Sequence, residues 1–273
     1  MTLKILVLGS GGAQPPPRPG CTCPICTEAR QKGIPYSRTG PSIYLPEENI
    51  LFDTPEEIRE QLNRERIGHV ENVFISHWHP DHTMGIRVFE QMNYNFNLRP
   101  SLKSRVYISK ATERNLAEQL LPSFFPLYQR RGIVVVSHIE EGQTVEFGNL
   151  KVTSYKLPES DTFLYRLQKE GKTTVYAPCE ILHFPIRNEL KQPDLLLLHL
   201  GFFKEMVPPD WRYENEDSFQ EDQETIKKLG AKKTVFMHIE EAWGKSYDDY
   251  KRMEADFAGL NIEFAYDSMR ITI

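Results

Sequence analysis

The sequence predicts an α/β protein. Short apolar runs rich in β-branched residues, which are typical of buried strands, alternate with amphipathic segments of helical period along the 273 residues. Several strands are followed directly by histidine, aspartate, cysteine or glutamate. With 40% hydrophobic residues, the chain is long enough to form one large domain or two small ones.

Composition narrows the function classes. The net charge is -5, from 33 basic and 38 acidic residues, and no basic tract occurs. A broad nucleic-acid surface is therefore not expected, and a local basic groove is the remaining alternative. No apolar run reaches the ~18 residues of a membrane span. Residues 1–9 are too short an apolar segment for a signal peptide and predict a first strand, so we expect a cytoplasmic protein.

The first strand, residues 4–8, leads into a glycine-rich turn at residues 9–12. The glycine spacing of a dinucleotide site fails at Gln14, and three prolines follow where a helix should begin. We therefore predict a tight turn that brings the backbone close to a functional site.

The next segment holds three of the four cysteines, Cys21, Cys23 and Cys26. Three thiols within six residues suit a tetrahedral Zn²⁺ that takes one further ligand from elsewhere, and the zinc would fix a proline-rich loop of about residues 15–40. Reduced cysteines that happen to cluster are the alternative. A disulfide framework is not indicated.

A strand hairpin is predicted for residues 42–45 and 49–53. Asp53 ends its second strand. The carboxylate either accepts a hydrogen bond from a metal-binding histidine or caps the helix predicted for residues 56–64, and both roles are compatible.

The most informative stretch follows the strand at residues 73–76. Four metal-ligand side chains lie within six residues: His77, His79, Asp81 and His82. Imidazole and carboxylate bind Zn, Mn or Fe. Because Pro80 disfavours helix at His79, we expect the ligands on a bent loop, with helix from about Thr83.

The rest of the chain continues the alternation. Strands are predicted at residues 105–109, 133–136, 144–147, 151–157, 162–168, 173–177, 195–199 and 234–238, with a terminal hairpin at 262–266 and 270–273. Helices are predicted at residues 85–92, 111–121, 218–229 and 247–257. Residues 124–128 are expected in the core, with a substrate wall or homodimer surface as alternatives, and residues 208–216 form a predicted surface loop.

The H-x-H-x-D-H motif after a strand resembles the central motif of the metallo-β-lactamase superfamily. The resemblance implies one domain over residues 1–273, a four-layer αββα sandwich of two mixed sheets, and a two-metal site at one edge. The cysteine loop is similar to that of the subgroup containing the phosphonate-pathway cyclic phosphodiesterase and coenzyme PQQ synthesis protein B.

The resemblance also implies a ligand for each metal. His77 and His79 match ligands of the first metal, and Asp81, His82 and His238 match ligands of the second. Asp53 matches an aspartate that hydrogen-bonds a metal-binding histidine without contacting the metal itself.

Three positions depart from the family pattern. Glu159 stands where a histidine of the first metal is expected, which favours Mn or Fe. Cys179 or its neighbour Glu180 stands where a bridging aspartate is expected. Glu241 stands where relatives complete the cysteine-loop zinc with histidine; His183, His199 or another histidine is the alternative fourth ligand.

The resemblance implies a hydrolase that cleaves a small cyclic or nucleotide phosphodiester with a metal-bound hydroxide. One or two Zn, Mn or Fe ions are expected in addition to the structural zinc. Asp81 would orient the nucleophile, and His199 is either a general acid or a core or capping histidine. The alternatives are an oxygenase similar to PQQ synthesis protein B and a degenerate metal-binding scaffold without activity.

Overall fold

A computed structural model describes residues 2–158, 160–179, 181–182, 184–207 and 217–273. The predicted surface loop at residues 208–216 lies outside this part of the chain, as do Glu159, Glu180 and His183. Among the described helices, none combines the length and apolar character that crossing a bilayer requires.

The first sheet has seven strands within the described residues. In chain order they are β1 (Lys4–Gly9), β2 (Ser42–Leu45), β3 (Ile50–Phe52), β4 (Asn72–Phe74), β5 (Ser104–Ile108), β6 (Val134–His138) and β14 (Arg270–Thr272). Their spatial order is β14-β1-β2-β3-β4-β5-β6. The strands from β3 to β6 pair in parallel and the others are antiparallel, so the sheet is mixed.

The second sheet also has seven strands in the described part. They are β7 (Thr144–Phe147), β8 (Leu150–Lys156), β9 (Phe163–Lys169), β10 (Lys172–Ala177), β11 (Leu195–His199), β12 (Thr234–Met237) and β13 (Ile262–Phe264). Their spatial order is β13-β12-β11-β10-β9-β8-β7. The strands from β10 to β13 are parallel and the rest are antiparallel.

The two sheets pack face to face and helices cover their outer faces. The helices are α1 (Pro24–Lys32), α2 (Ile58–Arg64), α3 (Pro80–Thr83), α4 (Val88–Asn93), α5 (Lys110–Gln119), α6 (Phe124–Arg130), α7 (Phe219–Leu229) and α8 (Tyr247–Asp256). Aromatic rings fill the space between the sheets. The ring centroid of Phe52 lies 5.1 Å from the ring centroids of both Phe74 and Tyr165. Burying each such side chain contributes about 1.5–3 kcal/mol. The predicted α/β class and αββα sandwich are confirmed.

The structure confirms the predicted core segment at residues 124–128 but not the predicted terminal hairpin. Phe125 and Tyr128 of α6 are buried against the first sheet, as expected of a core segment. The predicted terminal hairpin is wrong, because β13 pairs with β12 in one sheet and β14 pairs with β1 in the other. Alternating apolar residues identify strands but do not determine which sheet receives them.

Topology brings the polar strand ends together. The carboxyl ends of β3 and β4 lie side by side in the first sheet, and those of β10, β11 and β12 lie side by side in the second. Ligands in such folds bind beyond the carboxyl ends of parallel strands. The residues at or just after these five strand ends include all the described candidates around the central motif.

A buried lysine forms ion pairs at the end of the sandwich opposite the candidate site. Lys169 Nζ lies 2.7 Å from carboxylate oxygens of both Glu47 and Glu48, and Lys4 Nζ lies 3.0 Å from Glu47. Hydrogen bonds from Lys169, and then from Lys4, lower the pKa of Glu47 from 4.5 to about 2. The ionised carboxylate is therefore bound more strongly in the folded chain than in the unfolded chain.

This network predicts an acid-dependent loss of stability. A lowered folded-state pKa contributes stability above pH 4.5 that is lost as the pH falls towards about 2. We expect Glu47→Gln to lower the free energy of unfolding at about pH 7 and to flatten its decline on acidification, as measured by urea unfolding. Glu146→Gln, which removes an exposed pair with Lys151, is the control. Parallel acid profiles for wild type and Glu47→Gln would contradict the assignment.

Candidate metal centre

The central motif leaves β4 and turns into a short helix. His79 is the N-cap of α3 and has an extended backbone, with ψ 150°. Pro80 is at the first helical position, where its fixed φ and missing N–H carry no penalty. The expected bent loop is therefore only partly correct, because Asp81 and His82 lie on one helical turn rather than on irregular backbone. Pro80 excludes helix before itself and favours helix after itself.

Asp53 lies behind the motif and is fully buried. It accepts hydrogen bonds from Ser76 N at 2.7 Å, Ser76 Oγ at 2.8 Å and His82 Nδ1 at 2.9 Å. The alternative role as a helix cap is wrong, because α2 starts at Ile58 with Glu57 in the cap position. The predicted contact between this carboxylate and a motif histidine is present.

These contacts define which ring nitrogens face the centre. His82 Nδ1 donates to Asp53, so Nε2 of a neutral ring carries the lone pair. The Ser76 hydroxyl donates to Asp53 and lies 3.0 Å from His77 Nδ1, so it accepts the proton of that nitrogen. The Nε2 atoms of both histidines are thus oriented as metal ligands.

The structure groups the donor atoms into three overlapping trios. Within each trio, one ligand atom from every residue lies within 4.8 Å of the others. The trios are His77–His82–Cys179, Cys179–His199–His238 and Asp81–His82–His238. Residues from four strand ends, far apart in sequence, therefore converge on one small volume.

Asp81 lies between two imidazoles. Its Oδ2 is 3.1 Å from His238 Nε2 and 3.3 Å from His82 Nε2. His79 is peripheral: its ring lies 4.6 Å from the ring of His77, and in the described residues it joins none of the trios. It is also half-buried, whereas His77 and His82 are fully buried.

The buried donors fit a divalent cation. In the described part of the chain, His77 Nε2 and both ring nitrogens of His199 are buried without a hydrogen-bond partner. Such atoms carry a desolvation cost of about 1–3 kcal/mol each. Imidazole, carboxylate and thiolate are the ligands that zinc and related ions use, so a bound cation would remove this cost.

Charge within the cluster is strongly perturbed. Burial disfavours ionisation of Asp81, but the neighbouring His82 and His238 hold its pKa well below its usual value. Burial likewise opposes a thiolate at Cys179, yet His238 and His77 hold the pKa of that thiol well below its usual value. The ionised forms of Asp81 and Cys179 therefore depend on the neighbouring histidines.

The glycine-rich turn packs directly on this centre. A Cβ at Gly12 would overlap with the ring of His238 and with the carboxylate of Glu240. Glu240 accepts hydrogen bonds from Ala13 N at 2.8 Å and Gln14 N at 2.7 Å, which attaches the turn to the segment after β12. The expected close approach of backbone to the site is present.

A second donor cluster lies beside this turn. The sulfur atoms of Cys21, Cys23 and Cys26 lie 3.6, 2.8 and 3.7 Å from Glu241 Oε1. Sulfur and oxygen on one tetrahedral zinc ion are roughly 3.5 Å apart, which two of these distances match. Burial, and then Glu241, raises the pKa of the Cys23 thiol to about 12, so this thiol donates to the carboxylate until a cation displaces its proton.

Comparison with known proteins agrees with this geometry. A protein family described as "Beta-lactamase superfamily domain" matches residues 48–239, which is more than half of the chain. The chain belongs to the metallo-β-lactamase superfamily. The matched span contains every described residue of the three trios and ends before Glu240 and Glu241.

Within the superfamily, ribonuclease Z of Thermococcus gammatolerans is 26% identical over 189 residues, which are 68% of this chain and 52% of that protein. The chain thus spans about half the length of the curated relatives it matches. Among solved structures, Zn²⁺-bound PqqB from Methylobacterium extorquens has a TM-score of 0.76 at 17% identity, covering 99% of this chain and all of PqqB. A diphosphatase from the PhnP family has a TM-score of 0.72 at 20% identity, covering 98% and 96%. Both share the superfamily fold.

Sequence reasoning found most members of the centre but assigned some differently. His199 was expected as an acid or a core residue, and the structure places it in a trio with Cys179. Glu159 and Glu180 lie outside the described residues. Ser76 and Glu240 were not anticipated; a serine directly before a metal-motif histidine, and a glutamate two residues after a late histidine, were the available signals.

Gly12 supplies a test of how the turn supports the superfamily site. We expect Gly12→Ala to displace His238 and lower the zinc affinity of the centre by about 10–100-fold, since supporting contacts have effects of this size. Zinc competition with a chromophoric chelator measures the affinity. Gly68→Ala, whose Cβ would enter open space, is the matched control. Equal affinities for both variants would show that the turn does not support His238.

The cysteine cluster gives a second test. Glu241→Ala is expected to remove one zinc ion per chain and lower the thermal midpoint, because the metal binding energy of a structural site contributes to folding. Glu241→His should retain the zinc, as imidazole is an ordinary zinc ligand. Elemental analysis and thermal unfolding measure both effects. Unchanged zinc content in Glu241→Ala would mean that the three thiols find another fourth ligand.

Proposed function

We propose that the chain is a metal-dependent phosphodiesterase acting on a small cyclic or nucleotide phosphodiester. The observation that carries the proposal is the overlap of the three donor trios, which share Cys179, His82 and His238 and so favour two adjacent ion positions. Paired ions are a common device for displacement at phosphorus. The likeness to ribonuclease Z, whose name denotes cleavage of RNA, supports a phosphodiester bond as the target.

The metal ligands would come from the trios, with Asp81, His82 and His238 at one position, His77 at the other, and Cys179 close to both. Bound there, a divalent cation lowers the pKa of a coordinated water to about 7 and polarises phosphoryl oxygens. Asp81, whose Oδ2 lies 3.1 Å from His238 Nε2, would bind metal and orient the attacking water. Asp53 holds the ring of His82 in one orientation throughout.

A cleft beside Asp81 supports a small substrate. It encloses about 260 Å³ and is lined by the glycine-rich turn, Gly40, Glu56, Glu57 and the start of α3. This volume is smaller than the 300–1,000 Å³ typical of drug-sized ligands. Its acidic wall, together with the net charge of -5, disfavours a long polyanion such as tRNA.

Two organisational points accompany the proposal. We propose that residues 1–273 act as one domain, because donors of both clusters come from residues 21 to 241. The three thiols beside Glu241 suit a reducing compartment such as the cytoplasm, where they stay available for zinc.

The proposal predicts turnover of bis(p-nitrophenyl) phosphate or of 2′,3′-cyclic nucleotides by protein loaded with Zn, Mn or Fe. Asp81→Ala is expected to lower kcat/KM by at least about 100-fold, since it removes both a metal ligand and the group that orients the water. Asp248→Ala removes an exposed carboxylate that contacts Tyr36 and is the control. Chelation should abolish turnover and readdition of metal should restore it. An absence of turnover with all three metals, or full activity of Asp81→Ala, would reject the proposal.

A further inference from the structure

Cys179 occupies an unusual place in the centre. It follows β10 after a single proline and is 5% exposed. Its sulfur belongs to two different trios, one with His77 and His82 and one with His199 and His238. No other described residue contributes to both of these groups. The sulfur therefore lies where the two sets of imidazoles meet.

The histidines around Cys179 lack alternative partners. His77 Nε2 and both ring nitrogens of His199 are buried without a hydrogen bond in the part of the chain that the structure describes. A histidine kept in a core for packing normally has its ring nitrogens satisfied. Instead, one ring nitrogen of His77 and one of His199 each lie within 4.8 Å of the Cys179 sulfur.

The position of His199 argues against a role in protonating a leaving group. The ring is 1% exposed and stacks on His238 with a centroid distance of 4.3 Å and an interplanar angle of 26°. A general acid must come within hydrogen-bond reach of the substrate. A ring enclosed by His238 and the Cys179 sulfur is better placed to bind an ion than to reach a leaving oxygen.

We infer that the Cys179 sulfur is a ligand shared by two adjacent ion positions, and that His199 is a ligand beside it rather than a general acid. The inference rests on the metal centre of the proposed function. A thiolate is a soft donor that favours Zn²⁺, Co²⁺, Cd²⁺ or Cu⁺ over Mn²⁺ and Mg²⁺. The centre is therefore selective for thiophilic ions, in contrast to the Mn or Fe preference expected from Glu159.

Cobalt absorption tests the sulfur ligand directly. Apo-protein is titrated anaerobically with Co²⁺, and the near-ultraviolet thiolate-to-cobalt charge-transfer band is recorded. The wild type should show two contributions, one from the Cys21–Cys23–Cys26 cluster and one from Cys179. Cys179→Ser should lose only the second contribution and Cys23→Ser should lose most of the first. A Cys179→Ser spectrum that superimposes on the wild type would overturn the inference.

Metal selectivity provides a second measurement with a variant that keeps a negatively charged donor. Dialysis of Cys179→Asp against equal concentrations of Zn²⁺ and Mn²⁺, followed by elemental analysis, should raise the bound Mn-to-Zn ratio by about tenfold or more over the wild type. An unchanged ratio in folded Cys179→Asp would contradict a sulfur ligand. This readout does not depend on any enzymatic activity.

His199→Gln separates the two roles of that histidine. If His199 is a ligand, its replacement should reduce cobalt affinity by about 10–100-fold. The accompanying loss of reaction rate should then be equal for substrates with good and poor leaving groups. Retained affinity with a rate loss confined to poor leaving groups would instead identify a general acid. His69→Gln, remote from the centre, is the control histidine. If the wild type shows no phosphodiesterase activity but Cys179→Ser still loses its cobalt band, the proposed function is rejected and this inference stands.

Discussion

The buried carboxylate of Asp53 is the contact on which the rest of the centre depends. Its backbone lies in the left-handed region, with φ 63°, which is costly for a residue other than glycine. Three hydrogen bonds from Ser76 and His82 compensate for that cost and fix the loop after β4 against the end of β3. The same carboxylate thus shapes the backbone and selects the tautomer of a metal-facing ring, so fold and chemistry cannot be separated at this point.

A second constraint runs through four consecutive residues after β12. His238 also has a left-handed backbone, with φ 60°, and faces the centre. Ile239 pairs with Gly11, Glu240 holds the amides of the glycine-rich turn, and Glu241 reaches the three cysteines. The two donor clusters are therefore connected through a few bonds of one chain segment. A zinc ion bound at the cysteine loop would therefore also order the turn that packs on His238.

The sequence allowed the strands and the central ligand motif to be identified, because alternating apolar residues and a compact motif are local signals, and the family resemblance supplied the sandwich. The sheet membership of β13 and β14 was not accessible, since it depends on where distant strands stop. For the same reason, the neighbours of His199 could not be predicted from the sequence. Its position at a strand end was visible, but only tertiary packing shows that its ring stacks on His238 and meets Cys179. Local patterns identify donors, whereas the grouping of donors is a property of the assembled sheets.

The family resemblance implies a bridging carboxylate where this chain has Cys179 or Glu180, and a thiol at that place would change the chemistry of the centre more than its geometry. Strand ends are placed by backbone pairing, so a different side chain at residue 179 alters the donor atom without moving its neighbours. A thiolate and a carboxylate carry the same charge, and Asp81 and Cys179 are the two anionic donors among the described members of the trios. Two divalent cations would carry more positive charge than these two donors and the buried Asp53 carboxylate together. A metal-bound hydroxide or a phosphodiester anion would offset the remainder, which is compatible with the substrate class that we propose.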